Sequence, residues 1–216
     1  MARSEADQWA KDSAFRDDVY HVTDAQNVTS LKQSGFDLTR ARFGRVWGNG
    51  VYVTPDDATA DMYESWAGGP TGRLTIRLDV RRPLTVDVSR LRSSDDGHEF
   101  ILRRAEAQNP GILAKYAAYQ KRINDDYWDI VQGAQKAADK APPNERKRVY
   151  GRIIQQAMAD GRLPTGSPSS EALKRTLEDY GYDALYITES PLTARVAGVQ
   201  IVIFDPKKVV IVDDPF

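Results

Sequence analysis

Cysteine is absent from this chain of 216 residues, and histidine occurs only twice, at His21 and His98. The absence of cysteine excludes disulfides, thiolate metal sites and cysteine nucleophiles, and two histidines are too few for a histidine-rich metal centre. No apolar run approaches the length of a membrane span, and the polar stretch 1–11 lacks the pattern of a signal peptide. We therefore expect a soluble, cytoplasmic protein that uses no metal and has no membrane partner.

A large excess of charge of either sign is also absent, because 30 Lys and Arg residues stand against 31 Asp and Glu residues. This balance argues against nucleic-acid binding by the whole molecule, but it leaves room for a local basic face. An apolar content of 41% is sufficient for a core. The length fits either one domain with an insertion or two small domains.

Alternation of apolar and polar residues predicts strands near both ends of the chain. These strand patterns are 19–22, 51–54, 74–80, 84–88, 184–187, 199–204 and 209–212. Helix signals lie between them: the first helix ends at Gly35, and the second begins with Thr54 as its N-cap and Pro55 at its first position. The sequence thus predicts an α+β fold in which residues 1–216 form a single domain.

Residues 93–165 differ in character, because Ala, Gln, Lys, Arg and Tyr dominate and β-branched runs are almost absent. Breaks at 109–111 and 141–144 divide this block into about three helices. From 101 to 165 there are twelve Lys or Arg residues against seven Asp or Glu residues. The aromatic residues among these bases are Tyr116, Tyr119, Tyr127, Trp128 and Tyr150. Such interleaving is typical either of surfaces that bind single-stranded nucleic acid or of helices with core aromatics and solvated charges.

Two short segments each place a polar ring inside a strand pattern: residues 20–23 (YHVT) contain His21, and residues 48–54 (GNGVYVT) contain Tyr52. Either residue alone is more typical of a hydrogen-bonded core position. If the two strands lie side by side, however, we expect the imidazole and the phenol to face one cleft. That geometry suits a planar ligand that carries ribose.

The loop 36–50 between these two rings is long, aperiodic and positively charged. Its three arginines are Arg40, Arg42 and Arg45. Arginine pairs with phosphate through two parallel hydrogen bonds, so these residues are candidates for binding a diphosphate. The same residues also fit a solvated surface loop.

The order of these motifs resembles the NAD-binding half of ADP-ribosyltransferases of the His-Tyr-Glu class, which includes the poly-ADP-ribose polymerases and diphtheria-type toxins. The N-terminal motifs are YHVT and FGRVWGNGVYVT, followed by a helix with Tyr63. The C-terminal motifs, GYDALYIT and GVQIVIFDPKKVVIV, are similar to transferase-like domains of polyvalent proteins from phages and mobile elements. The resemblance covers 18–88 and 169–212. It implies a split core of two small packed antiparallel sheets, with residues 93–165 as a helical insertion.

This resemblance implies a role for each matching residue in binding NAD. His21 matches the histidine that hydrogen-bonds the adenosine ribose, and Thr23 is the hydroxyl two positions on. The main chain of Val22 would hold the nicotinamide amide, and Tyr52 and Tyr63 would cover the two sides of the nicotinamide ring. The implied NAD-binding set is therefore His21, Val22, Thr23, Gly50, Tyr52 and Tyr63, with His21, Tyr52 and Gln200 as the catalytic residues.

Gln200 departs from the family pattern, because relatives carry a glutamate at this position. Glutamine accepts a hydrogen bond from a ribose hydroxyl but supplies no negative charge to a cationic transition state. Three interpretations follow: a natural replacement, as in some mono-transferases; an engineered Glu→Gln change; or a carboxylate supplied by Glu189. In relatives the loop of Glu189 reads the acceptor, so this residue is chiefly an acceptor-side candidate, although it also fits an exposed turn.

The resemblance predicts an NAD-dependent mono-ADP-ribosyltransferase, a toxin or effector of bacterial or phage origin. Mono-transfer is favoured because the glutamate replaced by Gln200 is needed for chain elongation in the polymerases. The acceptor is a protein by default, or RNA or DNA, and an antitoxin or immunity protein is a further expected partner. Two alternatives stay open: an NAD glycohydrolase, and a catalytically degenerate module that binds NAD or a partner.

Overall fold

The computed structural model describes residues 1–38, 47–89, 91, 97–164, 166–188 and 198–213. The helices are α1 (Arg3–Trp9), α2 (Ala25–Ser34), α3 (Asp57–Trp66), α4 (Gly97–Glu106), α5 (Ile112–Asp139), α6 (Arg146–Ala159) and α7 (Pro168–Asp179). The strands are β1 (Val19–Asp24), β2 (Val51–Val53), β3 (Thr71–Leu78), β4 (Pro83–Asp87), β5 (Ala184–Thr188), β6 (Gln200–Ile203) and β7 (Val209–Ile211). A short 3₁₀ turn, Pro206–Lys208, precedes β7. The predicted α+β class is confirmed.

The strands form two small sheets. The first has the order β1-β3-β7 and is antiparallel throughout, and the second has the order β2-β6-β5-β4. The family resemblance implied two antiparallel sheets, which is wrong for one pair of strands, because β4 and β5 run parallel. The parallel pairing follows from the connection: the chain leaves the sheet after β4 and returns through helices α4 to α7, and such crossovers join parallel strands.

Apolar side chains on the two faces of the second sheet form two separate core clusters. One cluster lies between the two sheets and includes Leu74, Ile76, Val53 and Ile201. The other lies between the second sheet and helices α4, α5 and α7. Alternation along β6 explains this division, because Ile201 faces the first sheet and Val202 faces the helices. The result is three layers with the second sheet in the middle.

The predicted division of the basic block into three helices is confirmed by α4, α5 and α6. Ile101, Leu102, Ile112 and Ile123 of this block are buried in the helix-side cluster, so the block supplies part of the core rather than decorating it. Of its aromatics, Tyr116 is buried in the same cluster, whereas Trp128 has 56% of its surface exposed.

Helix α3 begins two residues later than the sequence predicted. Its N-cap is Asp56, whose carboxylate accepts hydrogen bonds from the main-chain N–H groups of Ala58 and Thr59. The predicted cap, Thr54, instead accepts from the N–H of Asp56 through its hydroxyl oxygen. A carboxylate satisfies two free N–H groups at once and lies at the positive end of the helix dipole, which explains the shift.

Removal of the α3 cap should destabilise the protein. We expect Asp56→Ala to lower the free energy of unfolding by about 1 kcal/mol, measured by urea denaturation, whereas Asp56→Asn should retain most of the stability. The hydrogen bond from Thr59 lowers the pKa of Asp56. The carboxylate therefore contributes stability above its ordinary pKa, and the difference between wild type and Asp56→Ala should shrink as the pH falls below about 4. If Asp56→Ala and Asp56→Asn lost the same amount of unfolding free energy at neutral pH, this capping role would be contradicted.

Candidate functional site

Within the described residues, main-chain hydrogen bonds join the two sheets where β1 runs beside the end of β2. Tyr20 and Thr54 exchange both main-chain hydrogen bonds there, with N···O distances of 2.7 and 2.9 Å. In an antiparallel ladder the next hydrogen-bonded pair would be Val22 with Tyr52. Among the described residues that pair does not form, because the bridge at Tyr20 is isolated. The strands therefore separate immediately after it.

The imidazole of His21 binds the main-chain oxygen of Tyr52, which would accept from Val22 if the ladder continued. Its Nδ1 lies 2.8 Å from the carbonyl oxygen of Tyr52. A carbonyl oxygen only accepts, so Nδ1 carries the hydrogen, and in the neutral ring Nε2 is left as an acceptor. Burial lowers the pKa of His21, with the bond to Tyr52 as a smaller opposing effect. The ring is thus neutral at pH 7, and Phe36 packs edge-on against it at 4.9 Å between ring centroids.

Val22 presents main-chain groups to the gap between the strands. Alternate residues of a strand direct their N–H and C=O groups to the same side, and those of Tyr20 point to β2. The N–H and C=O of Val22 therefore point the same way, where β2 has diverged and no described strand pairs with them. One donor and one acceptor on an open sheet edge suit a planar amide.

The ring of Tyr52 is held by the turn that precedes β2. Its hydroxyl donates to the carbonyl oxygen of Gly48 at 2.8 Å and accepts from the N–H of Trp47 at 2.9 Å. Tyr52 pairs with Val202 and packs against the helix-side cluster. His21 pairs with Leu74, which belongs to the cluster between the sheets. The phenol and the imidazole thus leave their strands on different faces, so the expectation that the two rings face one cleft is wrong. The contact between the two residues runs through the main chain of Tyr52.

Gln200 occupies the same face of the second sheet as Tyr52, two residues from Val202 along β6. Its side chain is buried, with 3% exposure, and its Nε2 has no hydrogen-bond partner among the described residues. A buried donor without a partner costs about 1–3 kcal/mol. Such a cost is consistent with a group that bonds to a ligand.

Helix α3 lies close to the start of β6. The contact is made by Gly198, where a Cβ atom would lie 2.0 Å from Oγ1 of Thr59 and where φ is +115°. Tyr63 is one turn beyond Thr59, on the same side of the helix. Burial raises the pKa of Tyr63 to about 12, so the phenol stays neutral. Its ring is edge-on to Trp66 at 5.8 Å.

Of the remaining candidate residues, the structure describes two, Thr23 and Gly50. Thr23 is half-buried and pairs with Gly72 of β3. Gly50 lies against β6, where a Cβ atom would approach the carbonyl oxygen of Ile203 to 2.6 Å, so close strand packing is sufficient to require glycine there. The other four candidates lie outside the described residues: Arg40, Arg42, Arg45 and Glu189.

The sequence pattern gave no indication of several residues that shape this region. The main-chain N–H of Trp47 donates to the hydroxyl of Tyr52, five residues on. Thr59 and Gly198 form the contact between α3 and the start of β6. Gly198 directly precedes the strand pattern 199–204, and this is the only sequence feature that could have drawn attention to one of these residues.

Elsewhere, a groove of ≈ 420 Å³ lies between α5 and α7 and contains none of the candidate residues. Its charged lining includes Glu171 and Arg175, which form an ion pair at 2.8 Å. Across the described part of the chain, no three His, Cys, Asp or Glu side chains are grouped to hold a metal ion. Within the same residues, none of the helices has the length and apolar character needed to cross a bilayer.

The bond from His21 to Tyr52 should make stability depend on pH in a defined window. Because burial lowers the pKa of His21 in the folded state, its contribution is fully present above the unfolded value of about 6.5 and is lost as the pH falls below it. His21→Asn keeps an N–H donor near the position of Nδ1 without titrating. We expect the wild type to lose unfolding free energy relative to His21→Asn as the pH falls from about 7 to about 5. A constant difference would show that the titration of His21 does not contribute to stability in this way.

No family model, curated protein or solved structure matches this chain.

Proposed function

We propose that this protein is an NAD-dependent mono-ADP-ribosyltransferase, a toxin or effector of bacterial or phage origin that modifies a macromolecular acceptor in the cytoplasm. The proposal takes the two sheets as the split core of that family and includes an antitoxin or immunity protein as a partner. The observation that carries it is the open edge at Val22, next to the bond between His21 and Tyr52. The motif order in the sequence supports the same reading.

The open edge at Val22 suits the carboxamide of nicotinamide. In the proposed complex the N–H of Val22 donates to the carboxamide oxygen, and the carbonyl of Val22 accepts from the carboxamide N–H. Tyr52 offers a ring fixed by two hydrogen bonds for stacking on the nicotinamide. Tyr63 is the candidate for the opposite side of the nicotinamide ring. Its phenol is neutral, and it lies on α3, which approaches the start of β6 at Gly198.

His21 and Gln200 are the candidates for the ribose hydroxyls. Nε2 of a neutral His21 accepts a hydrogen bond, which fits a hydroxyl donor. In the proposed reaction the bond between nicotinamide and ribose breaks with its electron pair passing to the nicotinamide nitrogen. The ribose then carries oxocarbenium character until a nucleophile of the acceptor bonds to its anomeric carbon and loses a proton. Gln200 can hold a ribose hydroxyl, but it adds no charge to stabilise the cation.

This neutral residue also favours a second candidate, a module that binds NAD without turning it over. Labelled NAD distinguishes the alternatives. Label on a macromolecule supports the transferase, free ADP-ribose supports a glycohydrolase, and NAD binding without either product supports the binding module. Absence of NAD binding would refute all three.

Restoration of the family glutamate should accelerate the reaction. We expect Gln200→Glu to raise turnover of labelled NAD by at least about tenfold, because a carboxylate stabilises the oxocarbenium ion better than an amide by about 1.4 kcal/mol or more. Gln200→Leu, of similar size, serves as the control: it should lower turnover and leave the free protein as stable or more stable, since it removes a buried donor without a partner. Equal turnover in all three proteins would exclude Gln200 from the reacting site.

Loss of the Tyr52 ring should weaken NAD binding. We expect Tyr52→Ala to raise the Kd for NAD by the equivalent of about 1–3 kcal/mol, on the scale of stacking between bases and aromatic rings, measured by titration calorimetry. Tyr52→Phe keeps the ring but loses the hydroxyl bonds to Gly48 and Trp47, so it should lower stability more than affinity. An unchanged Kd for a folded Tyr52→Ala protein would place the nicotinamide elsewhere.

A further inference from the structure

The hairpin formed by α5 and α6 carries a cluster of exposed cations around its turn. The members are Lys136, Lys140, Arg146, Lys147, Arg148 and Arg152, and all six are solvent-exposed. We call this set the basic tip. Only two acidic residues, Asp139 and Glu145, lie in the same stretch, 136–152. The ion pairs of the described helical block join other side chains, such as Lys121 with Asp125 and Arg162 with Asp160.

The basic tip is electrostatically unfavourable for the protein alone. Helix α6 contains four Lys or Arg residues and no acidic residue. Three of these cations, Arg146, Lys147 and Arg148, occupy its first turn, where the positive end of the helix dipole repels them. Arg148 and Arg152 are four residues apart, a spacing at which like charges destabilise a helix. A polyanion bound at the tip would relieve each of these repulsions.

The outward face of α6 is chemically suited to phosphate rather than to a protein surface. The helix packs mainly against α5, with Ala157 buried and Ile153 half-buried on its inner side. The exposed residues of α6 are Arg146, Lys147, Arg148, Arg152, Gln155, Gln156 and Ala159, and none of them has a large apolar side chain. A protein interface usually has an apolar core, whereas contacts to a nucleic-acid backbone come from Arg, Lys and polar donors such as Gln.

The aromatics of the block do not form a stacking platform beside these bases. Tyr116 is buried, and Tyr150 is half-buried. Trp128 is exposed, but it is followed directly by Asp129 and lies one turn from Asp125, and both carboxylates repel phosphate. Binding at the tip would therefore be to the backbone and would carry little sequence preference.

We propose that the basic tip is a binding surface for the phosphate backbone of a nucleic-acid strand. The proposal does not depend on the NAD reaction, since it uses no residue of the candidate NAD site. It also differs from the stacking surface that the sequence pattern suggested, because only the cations, and not aromatic rings, would contact the nucleic acid. If about four phosphates are neutralised on a single strand, log K should fall with log salt with a slope of about −3.

The experiment compares two variants of the full chain that lose the same amount of positive charge. In the tip variant, Lys140, Lys147, Arg148 and Arg152 are changed to Gln, and Arg146 is retained because its guanidinium bonds to carbonyls of the turn. In the control variant, Lys11, Arg16, Lys32 and Lys207, which are exposed on other elements, are changed to Gln. Fluorescence anisotropy is followed with labelled single-stranded RNA, single-stranded DNA and duplex DNA of mixed sequence, and with polyglutamate, over a series of salt concentrations.

We expect wild type and control to bind at least one nucleic acid with the stated salt slope and to bind polyglutamate more weakly. The tip variant should lose at least about tenfold in affinity and most of the salt slope, and it should have a higher unfolding midpoint in the absence of ligand. Absence of nucleic-acid binding by the wild type, equal loss of binding in both variants, or equally strong binding of polyglutamate would each overturn the proposal.

Discussion

The hydrogen bond from the imidazole of His21 to the carbonyl oxygen of Tyr52 is the constraint on which the candidate site depends. It gives the carbonyl of Tyr52 a hydrogen-bond donor at the position where the ladder between the two strands ends. The cost of the separation falls on the N–H and C=O of Val22, which face the gap. A ligand with the hydrogen-bonding pattern of an amide complements those groups, which is the physical reason for placing nicotinamide there.

The surrounding layers keep this gap in place. The second sheet is packed on both faces, against the first sheet on one side and against α4, α5 and α7 on the other. Close packing of this kind resists rearrangement, so the end of β2 cannot readily move to complete the ladder with β1. The contact between Gly198 and Thr59 adds a second fixed point, because it sets the distance between α3 and the strand that begins with Gln200. The helical block thus packs against the face of the second sheet that carries Tyr52, while the side chains of its basic tip are exposed to solvent.

Much of the fold was readable from local pattern. Alternation located β1, β3 and β6 to within a few residues, and glycine correctly marked the end of α2. The parallel pairing of β4 with β5 was not predicted, because alternation along a strand does not indicate the direction of its neighbour. Helix α1 was not predicted either, because its seven mostly polar residues show no apolar period. The cap of α3 was misplaced because both Thr54 and Asp56 are good capping residues, and only the fold selects between them.

The candidate site could be predicted less completely than the fold. The strand patterns predicted that the rings of His21 and Tyr52 face one cleft, whereas the imidazole binds the main-chain carbonyl of Tyr52 and the two rings lie on different faces. Pattern could not indicate this contact, because a main-chain acceptor is present at every residue. The unpartnered amide of Gln200 is likewise a property of its surroundings and not of the residue. The roles assigned to these residues in binding NAD stay predictions.

A crystal structure of the protein with nicotinamide tests the central claim most directly. The account predicts that the carboxamide lies at the gap, with its oxygen accepting from the N–H of Val22 and its N–H donating to the carbonyl of Val22, while His21 keeps its bond to Tyr52. Nicotinamide bound in another part of the molecule, or a gap closed by a regular ladder between β1 and β2, would contradict it.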